Sequence, residues 1–378
     1  MRNVVISAFV RSPFTLSKRG ALAKVRPDDI AAQVIRGLIE RTKVNVQDIE
    51  DVIVGCAFPE GEQGFNVARI ISLLADLPLH VGGMTVNRFC GSSMQAIHDA
   101  AGAIQMNAGE VFICAGVESM TRIPMGGYNP MPNPTLAKDK PEAYMAMGLT
   151  AENVAQRYQI SRKAQEEFSV ISHQKATKAD QDGKFKDEII PIRVGNTIID
   201  RDGCIRPETS AEILSKLDLA FDQQGTVTAG TSSPLTDGAS AVLVCSEDYA
   251  KKHNLPILAR IKSIAVAGCG PEVMGIGPVE ATRKALKRAN LTEKDIDIVE
   301  INEAFASQSL ACLQDLMIDH KKVNLDGGAI ALGHPLGATG ARITGKAAQL
   351  LKREGKKYAL STQCIGGGQG IATILEAA

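Results

Sequence analysis

Four short segments carry residue types that can do chemistry, at spacings that packing alone does not require. Cys90 lies in Asn87-Arg88-Phe89-Cys90-Gly91-Ser92-Ser93-Met94-Gln95-Ala96, where the β-prone run Met84–Val86 gives way to apolar residues at helical spacing, Met94, Ile97 and Ala101. A cysteine at a strand-to-helix junction meets free N–H groups and the positive end of the helix dipole. Both favour the thiolate, the nucleophilic form. A lone cysteine is more often a small buried hydrophobe, so the other three segments decide. Asn302-Glu303-Ala304-Phe305-Ala306 puts an amide and a carboxylate directly after a strand-like run, Ile298–Ile301. The stretch Gly327–Gly340 surrounds His334, the one histidine followed by proline, with glycines that permit close backbone approach. Cys364-Ile365-Gly366-Gly367-Gly368-Gln369-Gly370 places a second cysteine at a strand end before a glycine run.

Two cysteines, one histidine and one asparagine at strand ends suit acyl transfer through a thioester. Cys90 attacks a carbonyl, His334 takes its proton, and donors hold the oxyanion. Cys364 then serves as acid and base for a carbon–hydrogen bond beside a thioester, as Claisen-type chemistry requires, with its pKa tuned toward neutrality. The glycine run after Cys364 lacks the G-x-G-x-x-G spacing, and Ile371–Leu375 reads as a strand, which argues against a dinucleotide loop. No ligand spacing supports a metal site.

The elements that must position these groups alternate between strand and helix. Strands read at 2–9, 51–56, 84–86 and 111–115; helices open at Pro27, with Ile30, Val34 and Leu38 on one face, span 66–74, and follow Cys90. Breakers crowd between Pro124 and Pro141 and mark an insertion. Helices follow it from Thr150 to Tyr158 and, capped by Ser161, through Ala179. The last third resembles the first: Asp48–Phe58 lines up with Asp295–Phe305, and Val111–Val117 with Tyr358–Cys364, both at an offset of 247. One offset held over such a distance predicts two copies of one βα unit, whose strand ends meet at their junction. At 378 residues the chain exceeds a single ordinary core. Its 42 basic and 42 acidic residues provide no global field for nucleic acid or anionic membrane. There is no apolar run of membrane-spanning length, no signal peptide and no Cys-x-x-Cys pair among the eight cysteines, so a reduced, cytoplasmic protein is expected.

On these four ordered motifs, and over essentially the whole chain, the sequence resembles the thiolases, specifically the degradative 3-ketoacyl-CoA thiolases of fatty-acid β-oxidation. The resemblance implies an α/β fold of five layers, αβαβα, made of two pseudo-symmetric halves and an inserted loop domain. Residues 1–118 would form the N-terminal half, 119–212 the loop domain over coenzyme A, 213–255 a return segment completing that half, and 256–378 the C-terminal half. By the same resemblance Cys90 is the acyl-bearing nucleophile, His334 its activator and an oxyanion donor, and Asn302 the holder of a water in that oxyanion hole. Cys364 is the second acid/base, and the N–H groups of Cys90 and Gly366 form the other oxyanion hole. Coenzyme A is implied as substrate, with no permanently bound cofactor. Arg206 matches a position at its nucleotide end and Ser233 one near the pantetheine, while Met147 and Phe305 line the pantetheine channel. Ala146 stands before Met147-Gly148 where biosynthetic acetoacetyl-CoA thiolases carry histidine, which weakens a short-chain reading.

The expected activity is coenzyme-A-dependent cleavage of a 3-ketoacyl-CoA to acetyl-CoA and a shortened acyl-CoA. The alternative is an acetoacetyl-CoA thiolase working in the condensing direction. A ketoacyl synthase would pair its cysteine with two histidines, or a histidine and an asparagine, and would place no cysteine at position 364. A non-catalytic acyl-CoA- or lipid-binding relative would have lost Cys90 or His334, and both are present. Expected partners are further copies of the chain, as a homodimer or homotetramer, and a hydratase/dehydrogenase subunit of a β-oxidation complex.

Overall fold

In the computed structural model, which describes residues 2–378, the first half opens with β1 (Val4–Arg11) and the short β2 (Thr15–Leu16). Helix α1 (Pro27–Thr42) starts on a proline whose missing N–H costs nothing there, carries Asp28 and Asp29 in its first turn, and buries Ile30, Val34 and Leu38. Then come β3 (Asp51–Gly55), α2 (Val67–Leu74), β4 (Met84–Val86), α3 (Ser92–Gln105) and β5 (Val111–Ser119). The insertion holds α4 (Pro134–Asp139), α5 (Met147–Arg157), α6 (Arg162–Gln181), a small hairpin of β6 (Ile192–Val194) and β7 (Thr197–Ile199), and α7 (Ala211–Ser215). Ser161 caps α6 by accepting from the Ala164 N–H at 3.2 Å. Helix α5 begins ahead of the expected Thr150, whose hydroxyl donates back to the Met147 carbonyl at 2.7 Å instead of capping the start. The chain returns through β8 (Thr236–Ser246) and α8 (Glu247–Lys252). The second half follows as β9 (Ala259–Gly268), α9 (Gly277–Ala289), β10 (Ile298–Ile301), α10 (Ala306–Asp315), α11 (Ala329–Leu332), α12 (Leu336–Glu354), β11 (Tyr358–Ile365) and β12 (Gln369–Glu376).

The strand pairings repeat. In the first half β3 runs parallel to β5, β5 antiparallel to β8, and β8 antiparallel to β1. In the second, β10 is parallel to β11, β11 antiparallel to β12, and β12 antiparallel to β9. Even the register is kept: Asp51 faces Phe112 and Ile298 faces Ala359, each pair displaced by the same 247 residues. The halves join edge to edge where β1 and β9 share two residue pairs, Val5 with Arg260 and Ile6 with Ala259, so the strands follow one path from β10 to β4.

Helices sort into three layers about these strands. Helices α1 and α2 cover the outer face of the first half and α9 and α10 that of the second, each over its own apolar core. Between the halves lie α3 and α12, whose Ile97, Ile104, Ala347 and Leu350 pack with Ile6 and Val242. The result is five layers, αβαβα. Helix α12 is rich in small residues because it is buried nearly all round: a Cβ at Gly340 would sit 2.3 Å from the Met94 backbone nitrogen of α3. The insertion is clamped to this core by buried charge. Arg11 on β1 binds Glu188 at 2.8 Å and Asp202 at 2.7 Å, and Lys346 of α12 binds Glu188 and Asp326, each at 2.8 Å.

Candidate active site

Cys90 stands two residues before α3, in a turn that several short hydrogen bonds fix. The Asn87 side chain accepts from the Phe89 N–H at 2.8 Å, and Ser92 Oγ accepts from the Arg88 N–H at 2.9 Å while donating to the Phe89 carbonyl at 2.6 Å. Phe89 itself is held at φ 43°, a left-handed conformation that costs a non-glycine residue on the order of 1–3 kcal/mol. The Gln363 side chain, one residue before Cys364, donates to the Cys90 carbonyl. Burial pushes the Cys90 thiol up to about 11, and the N–H groups of Gly366 and of Cys90 itself, both directed at the sulfur, hold that rise back. Burial thus outweighs the pull of the helix start toward the thiolate, which agrees with the expectation that a base takes the Cys90 proton.

His334 stands two residues before α12. Gly333 reaches it at φ 102°, and a Cβ there would meet the Thr236 side chain at 2.6 Å. Its Nδ1 lies 2.6 Å from Thr339 Oγ1, and the Thr339 hydroxyl donates to the Pro335 carbonyl at 3.2 Å. Having one proton and spending it there, that hydroxyl accepts from Nδ1–H and leaves the lone pair on Nε2. Nε2 in turn lies 3.2 Å from Asn302 Nδ2. Burial, and then the charge of Arg342, lower His334 to about 3, so the ring is neutral and able to accept a proton.

Cys364 ends β11, 1% exposed. Burial first and the neighbouring Cys90 second raise its pKa well above the ordinary thiol value, so tuning toward neutrality is absent from the resting site. Cys364, Cys90 and His334 face one cavity of about 250 Å³ between the halves and the insertion, walled mostly by apolar groups such as Met120, Met274 and Leu336. Ser233, Met147 and Phe305 line the same cavity, with Phe221 edge-on to Phe305 at 5.9 Å. Arg206 does not: it is exposed beside a small neighbouring pocket, where its N–H donates to His173 Nδ1 at 3.2 Å. That pocket shares Ser232 and Pro234 with the main cavity. Asn302 lies behind His334, fully buried. Among the described residues no three His, Cys, Asp or Glu side chains converge as a metal site.

Two residues near the site escaped the sequence reading. Thr339 lay within the glycine-rich motif without an assigned role; a lone hydroxyl one turn beyond His334 was the available signal. Glu118 is buried at the end of β5 and accepts from the N–H groups of Ala57 at 2.8 Å and Gly337 at 2.9 Å, and from Gln63 Nε2 at 2.7 Å. It thereby joins the first turn of α12 to the loop after β3. Burial raises its pKa, and nothing in the sequence marks a carboxylate in a strand as such a hub.

Residues 4–248 match the family described as thiolase, N-terminal domain, and residues 255–377 the family described as thiolase, C-terminal domain. The chain is 50% identical over 386 residues to a 3-ketoacyl-CoA thiolase of Vibrio vulnificus (strain CMCP6), with all of both chains covered. It is 46% identical over 389 residues to one of Bacillus subtilis (strain 168), again over all of both. A crystal structure of human mitochondrial 3-ketoacyl-CoA thiolase in complex with CoA superposes with a TM-score of 0.92 at 39% identity, covering 100% of this chain and 98% of that one.

Proposed function

This chain belongs to the thiolase family, and from that premise we propose that it cleaves 3-ketoacyl-CoA with coenzyme A, releasing acetyl-CoA and a shortened acyl-CoA in fatty-acid β-oxidation. It is an acyltransferase. The observation that carries the reading of the site is the single apolar cavity that Cys90, His334 and Cys364 share. In the first half-reaction Cys90 Sγ attacks the 3-keto carbon and its proton passes to His334 Nε2. The tetrahedral oxyanion is held by the N–H groups of Cys90 and Gly366. Breaking the C2–C3 bond leaves the electron pair on acetyl-CoA as an enolate, whose oxygen accepts from His334, now carrying a proton on Nε2, and from a water held by Asn302. Cys364, a thiol at rest, donates its proton to the C2 carbon. In the second half-reaction the Cys364 thiolate takes the proton of coenzyme A, whose sulfur attacks the acyl group on Cys90, and His334 returns the first proton to the Cys90 sulfur.

Coenzyme A then enters with its pantetheine past Ser233, Met147 and Phe305 and its nucleotide end toward Arg206, under a loop domain of residues 119–212. The mainly apolar lining supports an acyl tail, and Ala146 leaves room where a histidine would narrow the wall. We further assign the chain to a homo-oligomer, homodimer or homotetramer, in the cytoplasm, working beside a hydratase/dehydrogenase subunit. Its free sheet edge at β4, preceded in sequence by exposed Phe65 and Leu79, supports self-association. Among the described residues no helix is long and apolar enough to cross a membrane. Brief exposure to 3-ketoacyl-CoAs of increasing length, without coenzyme A, followed by mass spectrometry tests the reading. The shortened acyl group should appear on Cys90 with release of acetyl-CoA; an acyl group on another cysteine, with Cys90 free, overturns it.

A further inference from the structure

Behind the cavity, the face of β10 turned to α12 carries a second pair that the reaction as written does not use. Glu300 lies on β10 and Asn302 directly follows the strand's last residue, Ile301, with its N–H still donating to the Thr362 carbonyl at 3.0 Å, so the two-residue spacing sets both on one face. Asn302 meets His334, while Glu300 Oε2 accepts from Arg342 Nη1 at 3.3 Å. Both members of this ion pair are buried, Glu300 at 0% and Arg342 at 2% exposure. The pair is poorly satisfied. Glu300 Oε1, Arg342 Nε and Nη2, and Asn302 Oδ1 have no hydrogen-bond partner in the protein. Buried groups of this kind are normally satisfied by internal water, and these match: the guanidinium offers N–H groups, and the carboxylate and amide oxygens accept. Removing two charges from water on such terms rarely adds stability, so a role beyond packing is worth seeking.

The position of Arg342 supplies that role. It belongs to the buried cluster that Asn302 connects to His334, and, after burial itself, its charge disfavours the imidazolium that His334 must become when it takes the Cys90 proton. We propose that Glu300 is a positioning residue for the reaction: by compensating Arg342 within their buried pair, it sets how readily His334 accepts and returns the Cys90 proton. The inference rests on the roles assigned to Cys90 and His334 above. With Glu300 ionised, Arg342 is neutralised and the imidazolium is tolerated; with Glu300 protonated, the full positive charge of Arg342 opposes it. Burial, opposed by Arg342 and Lys346 of α12 and assisted by Asp326 and Glu303, raises Glu300 to about 8. Arg342 is faced in turn by Glu300, Glu188, Glu303 and Arg11.

The test follows the rate at which limiting iodoacetamide alkylates Cys90, read by mass spectrometry from pH 6.5 to 9.5. In the parental protein the rate should rise through a step near pH 8, well below the ionisation of Cys90 itself. Glu300→Gln should abolish the step and slow alkylation at pH 9 roughly tenfold, about one pKa unit at His334. Adding Arg342→Gln to it should restore the rate, because the double variant carries no charge at the pair. A purely structural pair predicts the reverse, a double variant slower than either single one and less stable. The inference is overturned if the double variant is slower than Glu300→Gln, or if the parental rate shows no step between pH 7 and 9. The parental profile decides even if Glu300→Gln does not fold. Acyl transfer to Cys90 that persists at an unchanged rate in Glu300→Gln fails this inference alone; acyl transfer to another cysteine in the parental protein fails the reading beneath it.

Discussion

Replacing Thr339 with valine tests whether the tautomer of His334 is imposed by the fold. The hydroxyl lies 2.6 Å from Nδ1 and is itself oriented by the Pro335 carbonyl, so it can only accept from the ring. Valine keeps the branched shape and deletes the acceptor. The ring must then leave a buried N–H unsatisfied, at about 1–3 kcal/mol, or move its proton to Nε2, which removes the lone pair that is to take the Cys90 proton. Either way the base-competent form is depleted by that free energy, a loss of roughly five- to 150-fold in the rate of Cys90 acylation. Thr339 does not line the cavity, so KM for the acyl-CoA should be unchanged, and the whole effect should fall on kcat and on single-turnover acylation. Thr339→Ser should recover most of the rate, since it restores the acceptor. Acylation at the parental rate in a folded Thr339→Val protein would refute the argument that this hydroxyl fixes the base.

Of the eight cysteines only Cys90 and Cys269 are not fully buried, and limiting iodoacetamide at neutral pH should label Cys90 ahead of Cys269 because a base faces its thiol; mapping the modified peptides by mass spectrometry checks this. Asn302→Ala and His334→Ala should each lower turnover roughly a hundred- to a thousandfold, and the double variant should lose less than the product of the two if both groups serve one oxyanion as proposed. Fully multiplicative losses in kcat would separate them. Glu188→Gln leaves Arg11 and Lys346 without a buried counter-charge and should cost about 3–5 kcal/mol in urea unfolding at pH 7. Glu188 and Asp326 are held below the ordinary carboxylate range, Asp326 at about 2, so their contribution is complete above about pH 5 and is lost as pH falls through about 2. The parental protein should therefore lose stability over that window, and Glu188→Gln should lose less of it.

The sequence was most legible where one period or one offset governed a whole element. Helix α1, the hydrophobic runs of β3, β5, β10 and β11, and their repetition were readable because buried strands and amphipathic helices leave continuous or 3.6-residue patterns. Strand β8 was not read at all. Its run Thr-Asp-Gly-Ala-Ser-Ala is small and polar, yet it is buried over its full length because β1 and β5 flank it on either side. The four motifs mark the groups that meet around the cavity, but not their protonation. A helix start argues for a thiolate at Cys90, and only the apolar walls around it reveal that desolvation wins. The partners of His334 were hidden for a similar reason: Thr339 and Arg342 differ from surface residues only in what surrounds them.

The internal repeat also explains why the groups proposed to react divide unequally between the halves. Cys90 and His334 occupy equivalent places, each two residues before a central helix, although the offset between them is 244 and not 247. The strand-end positions differ. Asn302 and Cys364 correspond, at the offset of 247, to Gly55 and Val117. In the first half those strand ends lie directly under the helix starts: a Cβ on Gly55 would come within 2.2 Å of the Ser93 nitrogen, and one on Gly337 within 2.7 Å of the Gly55 and Val117 carbonyls. A functional side chain at position 55 would have no room. The second half has the space because α12 is set off from its strand ends by the side chains of His334 and Arg342, which occupy the gap toward Asn302 and Glu300. One frame built twice thus yields a single cavity: both helix starts place a side chain at it, Cys90 and His334, and only the second half's strand ends supply the groups set beside them, Asn302 and Cys364.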